Sequence, residues 1–442
     1  MKGTQAPAAP RFLATSVLFG ILAASCSRED AGQEANADAA APAAPVSMDS
    51  ILISNAHLLD GSGTDIAAGY LLVRDGIIEQ ISATPIEAEG AYVIDAAGKT
   101  LMPGFIDAHR HIIQGPPAEW LANTAAGNMQ AFLEAGFTTV FSAGDSQNEI
   151  LELRRKTAAG EITGPRILAA GRAPLAISTP PAGSDDPART DVSRPPLRPT
   201  AAANAVPDAA TVQRIQEIAD AGFDAVKTVI VATPDGPEVR TLGQAAQEAK
   251  LRGLPTVTHA VTVQDTLAAV AAGGVATLVH TPHIGQLTLE EAELIAASAI
   301  PMTSTLGIFV PFFDDNNQPV FRDALPFPWD TIASAGQGPV NARLLWEAGV
   351  VYGYGTDTRF DPALTLKHEL KSLHLVFSER DIVKIMGENA AINIRMQDKI
   401  GALKPGMYAD LVLLDGNPLV QLYDLLKVAV VMKDGRIVVD KR

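Results

Sequence analysis

The stretch PGFIDAHRH, Pro103–His111, is an apolar run that ends in an acid and two histidines one residue apart. In an extended strand, residues i and i+2 share a face. His109 and His111 therefore project together, with Arg110 on the opposite side. Two neighbouring imidazoles make a poor core pair and a good start for a metal site. A surface strand that happens to carry two histidines is the plain alternative, and this stretch alone weighs the two readings evenly.

Working outward, the middle of the chain alternates short apolar strands with helical segments. The strands are FIDAHRH, TTVFSA, RILAAG, DAVKTVIV, PTVTHA, ATLVH, PMTSTL and VVYGYGTD, beginning at residues 105, 138, 166, 224, 255, 276, 301 and 350. Segments such as TVQRIQEIADAG and LGQAAQEAKLRG between them have helical spacing. Strand–helix alternation implies parallel strands, and eight such units predict an α/β fold of the (β/α)8 TIM-barrel type. Chemistry in such a barrel sits at the C-terminal ends of the strands. Here those ends carry His109 and His111, then Lys227, His259, His280 and Asp357. That concentration favours the metal reading of the opening stretch.

The chain is β-rich on both sides of this middle. ILISNAHLLDGSG, GYLLVRDGIIEQIS and AYVIDAAGKTLM precede it, and ADLVLLDGNPL and VAVVMKDGRIVVD follow it. The two ends are expected to build one small β-sandwich from residues 49–101 and 397–442, around a barrel at 102–396. Two long segments interrupt the pattern. Residues 172–210 are rich in Pro, Ser, Asp and Arg, and 309–330 are rich in aromatics. The first is read as a flap over the barrel mouth or a plain insertion. The second is read as a pocket lining or rim packing.

Hydrophobic residues make up 47% of the 442 and charged ones 19%, the balance of a globular protein. A net charge of −16 argues against a phosphate-neutralising surface, so no nucleic-acid partner is expected. The single cysteine, Cys26, excludes an intramolecular disulfide and a multi-cysteine metal site. Ahead of it, Lys2 and Arg11 precede FLATSVLFGILAA, too short to span a bilayer and suited to a signal-peptide core. Residues 1–26 then end in LAASCS, which resembles a bacterial lipobox with Ala23 in place of the usual leucine. Residues 27–48 are Ala/Pro/acidic and read as a flexible tether. The expectation is an exported lipoprotein on the periplasmic side of a membrane, touching it only through Cys26, with the outer membrane favoured because Ser27 rather than Asp follows the cysteine. A homo-oligomer is left open.

This arrangement resembles the amidohydrolase superfamily over roughly residues 50–440. The resemblance rests on PGFIDAHRH, the lysine ending strand four, the histidines ending strands five and six, GTD ending strand eight, and the tail GALKPGMYADLVLLDGNPL. Within the superfamily it is similar to the binuclear type, and to its Xaa-Pro dipeptidases and N-acyl amino acid hydrolases. The resemblance implies two divalent ions, zinc first, with manganese and cobalt as alternatives. His109, His111 and Asp357 would hold one ion and His259 and His280 the other. Lys227, carboxylated by carbon dioxide, would bridge them. It further implies a hydrolase of amide bonds in which a bridging hydroxide attacks and Asp357 is the catalytic proton carrier. Cyclic amides, lactones, carbamates and phosphoesters are alternative substrates, and a catalytically inactive lipoprotein binding module is the non-enzyme alternative.

Several further residues are singled out. Arg172 is a candidate partner for a substrate carboxylate, His283 a candidate substrate contact, and Tyr354 or Tyr352 a candidate to polarise a carbonyl. Asp107 is expected either to buttress the histidines or to face solvent. His57, His368 and His374 lie away from strand ends and are expected to be structural or exposed. Relatives often carry a Gly-Gly-His segment after strand three, where this chain has GRAPLAISTPPAGSDD.

Overall fold

The structure is a computed structural model that describes residues 49–173, 176–177, 208–232, 237–308, 310 and 332–442. The leader, Cys26, the tether, most of 172–210 and nearly all of 309–330 lie outside the described residues. Residues Ala44–Arg442 form one compact unit.

Eight parallel strands form the barrel: Phe105–Arg110, Phe137–Ser142, Arg166–Arg172, Ala225–Val231, Thr256–His259, Thr277–Val279, Met302–Thr303 and Tyr352–Gly353. They pair in sequence order, each with the next. A short extra strand, Ala176–Ile177, pairs with the end of the fourth. The first two strands are buried on both faces, as parallel strands sandwiched between barrel interior and outer helices must be. The helical spacing read in the sequence gives helices Ala209–Asp220 and Glu238–Leu251. Polar side chains fix several helix starts. Asp208 and Thr262 accept the N–H groups of Thr211 and Asp265, and Thr288 and Glu291 cap each other reciprocally.

The β-rich ends form a single eight-stranded sheet. Its order is Arg436–Asp440, Val428–Lys433, Leu411–Leu414, Thr100–Pro103, Ser50–Leu59, Asp65–Arg74 and Ile77–Ser82, with Tyr92–Asp95 also paired to Ser50–Leu59. Ser50–Leu59 changes register near Asn55, whose φ is 54°. Beyond that bulge the strand exchanges its partner Tyr92–Asp95 for Thr100–Pro103. This lets the sheet bend around Ile51, Leu71, Ile78, Leu101 and Leu413. His57 serves this sheet, with its ring near Thr100 and Asp65.

The barrel closes between its first and eighth strands. The N–H of Ala108 donates to Tyr354, and the N–H groups of Thr356 and Asp357 both donate to the carbonyl of His109, at 3.1 and 2.7 Å. Asp107 reinforces the seam. It is wholly buried, and its carboxylate accepts the N–H groups of His109 and Thr356 and the Thr356 hydroxyl. It thus supports the histidine strand through its backbone rather than facing solvent.

Arg110 is also wholly buried. Its guanidinium lies 3.6 Å from Asp107, donates to Thr356 and Thr365 and to the carbonyl of Phe360, and stacks on the Phe132 ring at 4.9 Å. Replacing Arg110 with Met would leave the Asp107 carboxylate buried without its counter-charge. The expected loss is about 3–5 kcal/mol in urea unfolding. A loss under about 1 kcal/mol would show that the seam does not need the ion pair.

Candidate metal centre

Six side chains from five strands gather at the C-terminal mouth of the barrel. His109 and His111 leave the first strand on one face, and their rings stand 6.0 Å apart. Asp357, carried in by the seam, places Oδ1 at 3.3 Å from His109 Nε2 and 3.1 Å from His111 Nε2. Neither contact has hydrogen-bond alignment, so Asp357 Oδ1 is a buried carboxylate oxygen without a hydrogen bond. These three donors form a group that suits one metal ion.

A second set lies beside it. His259 Nδ1 and His280 Nε2 are in hydrogen-bond contact at 2.6 Å, and Asp357 Oδ2 is 3.7 Å from His280 Nε2. Lys227 lies between the sets, with Nζ 3.4 Å from His109 Nε2. All six predicted ligands therefore come together. Four imidazoles and a carboxylate gathered this closely are a donor set suited to divalent ions.

The electrostatics agree with that use. Burial, helped by the charge of Lys227, holds His109 down at about 3. Burial and His259 hold His280 well below the ordinary histidine value. Both rings are therefore neutral at pH 7, the form that binds metal. Burial pushes Asp357 up, but His109, His111 and His280 outweigh it, and the carboxyl sits well below its usual range. Lys227 is lowered to about 8, chiefly by burial, with Arg172 adding to the shift. Part of the Lys227 population is thus an amine rather than an ammonium at neutral pH.

Supporting contacts hold these groups. Thr305 places its hydroxyl 2.7 Å from His280 Nδ1. Asp145, at the end of the second strand, accepts the N–H of Ile112 and the hydroxyl of Ser142, fixing the chain just past His111. Three residues here have left-handed backbones: His280 (φ 77°), Thr305 (φ 51°) and Asp357 (φ 49°). For residues with a Cβ this is strained, and such strain clusters at functional sites.

A cavity of about 480 Å³ opens beside the His111–Asp357 side. Its wall includes Gln114, Ile308, Arg359, His368 and Glu369. Glu369 is buried, which raises its carboxyl to about 7, and it accepts the Ser304 hydroxyl and the N–H groups of Leu306 and Gly307. His368 Nε2 lies 2.6 Å from the carbonyl of Gly307 and 2.9 Å from that of Val310. The sequence reading of His368 as structural or exposed fits its buried bonds to these carbonyls, whereas Glu369 was passed over because a helix position among apolar neighbours reads as core. Asp145 was legible in principle, since it follows a barrel strand just as the ligands do.

The proposed substrate contacts are placed differently. Tyr354 is wholly buried, with its ring 5.9 Å from Phe137, so it packs in the core and does not line the cavity. Tyr352 is likewise buried and bonds to the Thr281 hydroxyl. Arg172 pairs in register with Lys227, and its Nε donates to the carbonyl of Gly144 at 2.6 Å. It stands on the Lys227 side, outside the described wall of the cavity. His283 is buried close enough to His259 to feel its charge, and burial lowers it to about 3. His374 is exposed and lies 3.2 Å from Glu379.

Comparison with known proteins gives a consistent picture. A dihydroorotase of Elusimicrobium minutum is 35% identical over 116 residues, covering 24% of this chain and 26% of that protein. An L-hydantoinase of Paenarthrobacter aurescens is 39% identical over 66 residues, covering 15% and 14%. The chain thus spans about a quarter or less of the curated relatives it matches. Solved structures match along nearly their whole length. An amidohydrolase is 28% identical with a TM-score of 0.69, covering 88% of this chain and 99% of that one. A Bifidobacterium longum protein assigned as a prolidase is 25% identical with a TM-score of 0.68, covering 88% and 94%. The family match itself runs over residues 100–438, from the last sheet strand before the barrel to the last strand after it, and the chain belongs to the amidohydrolase family.

Proposed function

We propose that the protein hydrolyses a carbon–nitrogen amide bond in a small, dipeptide-like or N-acyl amino acid-like molecule, on two divalent ions. The observation that carries this reading is the convergence of His109, His111, Lys227, His259, His280 and Asp357 at one barrel mouth. His109, His111 and Asp357 would hold one ion and His259 and His280 the other, with a carboxylated Lys227 between. Zinc suits this imidazole and carboxylate set, as would manganese or cobalt. When bound, such ions bring the pKa of a water toward neutrality and polarise a carbonyl.

The chain's own groups do the rest. Asp357, anionic and half-buried on the cavity wall, receives the proton of the attacking water at a carboxylate oxygen and returns it to the leaving nitrogen. Asp145 and Thr305 keep the His111 segment and His280 aimed. The lowered pKa of Lys227 supplies the amine that carbamate formation needs. Its lone pair bonds to the carbon of carbon dioxide, one C=O pair moves to oxygen, and the nitrogen proton leaves to solvent.

A second reading is ring-opening of a cyclic amide, supported by the dihydroorotase and L-hydantoinase similarities. The full-length likeness to a prolidase-assigned structure favours the linear amide. The leader and Cys26 support an exported, lipid-anchored enzyme.

Two measurements test the centre. Protein prepared with bicarbonate should hold about two metal ions per chain by elemental analysis. Lys227→Ala should hold fewer and lose activity by about a thousandfold or more; equal metal content in both would exclude Lys227 as a bridge. Carboxylation has its own pH dependence. Below about 8 Lys227 is mostly protonated, so at fixed dissolved carbon dioxide the 13C carbamate signal should rise with pH and level off above that value. A signal that falls as pH rises would contradict an amine precursor.

A further inference from the structure

We infer that Arg359 is the specificity-determining residue of this cavity, binding a carboxylate on the substrate, so that the enzyme takes substrates with a free carboxylate near the scissile amide. The inference rests on the amide-hydrolase reading and adds the substrate's charge to it.

Three observations carry it. Arg359 lines the cavity beside the His111–Asp357 side of the centre and is the only permanent cation among the described residues that do so. Its guanidinium has neither ion pair nor hydrogen bond among the described residues. The residue is exposed on the cavity wall, where a dissolved molecule can reach it.

The backbone that presents Arg359 is held on both sides. The Gln114 side chain donates to the carbonyl of Arg359, the buried Arg110 guanidinium donates to the carbonyl of Phe360, and the N–H of Phe360 donates to the Thr358 hydroxyl at 3.1 Å. A guanidinium on a fixed backbone, with its fork unengaged, matches a carboxylate in two parallel hydrogen bonds.

The closing experiment separates this inference from the reaction it rests on, because it reads binding rather than turnover. N-acetyl-L-leucine and N-acetyl-L-leucinamide are titrated calorimetrically into metal-loaded enzyme, Arg359→Met and Arg359→Lys. The free acid should bind the parent about ten- to a hundredfold more tightly than the amide. Arg359→Met should abolish that preference while binding the amide as before, and Arg359→Lys should keep part of it. Equal binding of acid and amide by the parent, no binding of either, or a preference that survives in Arg359→Met would each overturn the assignment. Kinetics with dipeptides and their C-terminal amides then test the reaction separately. Discrimination in binding without hydrolysis of any of them would sink the hydrolase reading and leave the carboxylate site standing.

Discussion

The seam between the first and eighth strands is the constraint on which the rest of the centre depends. His109 gives its carbonyl to two consecutive N–H groups, those of Thr356 and Asp357, while Asp107 takes the N–H groups of His109 and Thr356. Residues 107 and 357 are far apart in sequence, and these few bonds bring the Asp357 carboxylate within 3.3 Å of both His109 and His111. The seam is polar and wholly buried, so it holds only while every member is satisfied. That is why a full-length arginine lies inside the barrel wall. Arg110 balances the charge of Asp107 and uses its remaining donors on Thr356, Thr365 and Phe360.

Closing the barrel is not enough to aim six donors at two points. A strand presents its side chains alternately, and the ligands at the ends of strands six and eight do not follow that alternation. His280 and Asp357 adopt left-handed backbones instead, as does Thr305, which holds His280. Each such residue costs on the order of 1–3 kcal/mol. The resulting crowding of nitrogen and oxygen atoms is unfavourable without something to bind. Strain and bare donors coincide at the place where a cation would relieve both.

Much of this was legible in the sequence, and the reasons are specific. The six convergent side chains showed because each follows an apolar run directly, and because His109 and His111 obey the two-residue period of a strand. All eight barrel strands showed for the same reason, although the seventh and eighth are only two residues long, Met302–Thr303 and Tyr352–Gly353. What did not show depends on contacts between distant segments. Arg110 could be assigned to the opposite face, but its partners Thr365 and Phe360 lie some 250 residues away. Tyr354 read as a substrate contact because it neighbours the GTD motif, yet the barrel turns it into the core against Phe137. His368 and Glu369 sit on a helix, where a polar pair among Leu366 and Leu370 gives no hint that it faces a cavity.

Sorting the polar groups around the cavity by what they already bind separates structure from function. Helix Pro362–Leu373 supplies Thr365 to Arg110, His368 to the carbonyls of Gly307 and Val310, and Glu369 to Ser304, Leu306 and Gly307. Those side chains are committed to holding the wall, so changing them would disturb the fold together with the site. His109, His111, Asp357 and Arg359 are different. His109 Nδ1, His111 Nδ1 and Asp357 Oδ1 are buried atoms without a hydrogen-bond partner, and the exposed Arg359 guanidinium has none among the described residues. A folded chain leaves buried polar atoms bare only at a cost, and His111, Asp357 and Arg359 border one cavity. On the proposed reading, His109, His111 and Asp357 would meet the reacting end of a bound molecule and Arg359 its far end. The spacing between them, rather than any one residue, would then decide how long a substrate this barrel accepts.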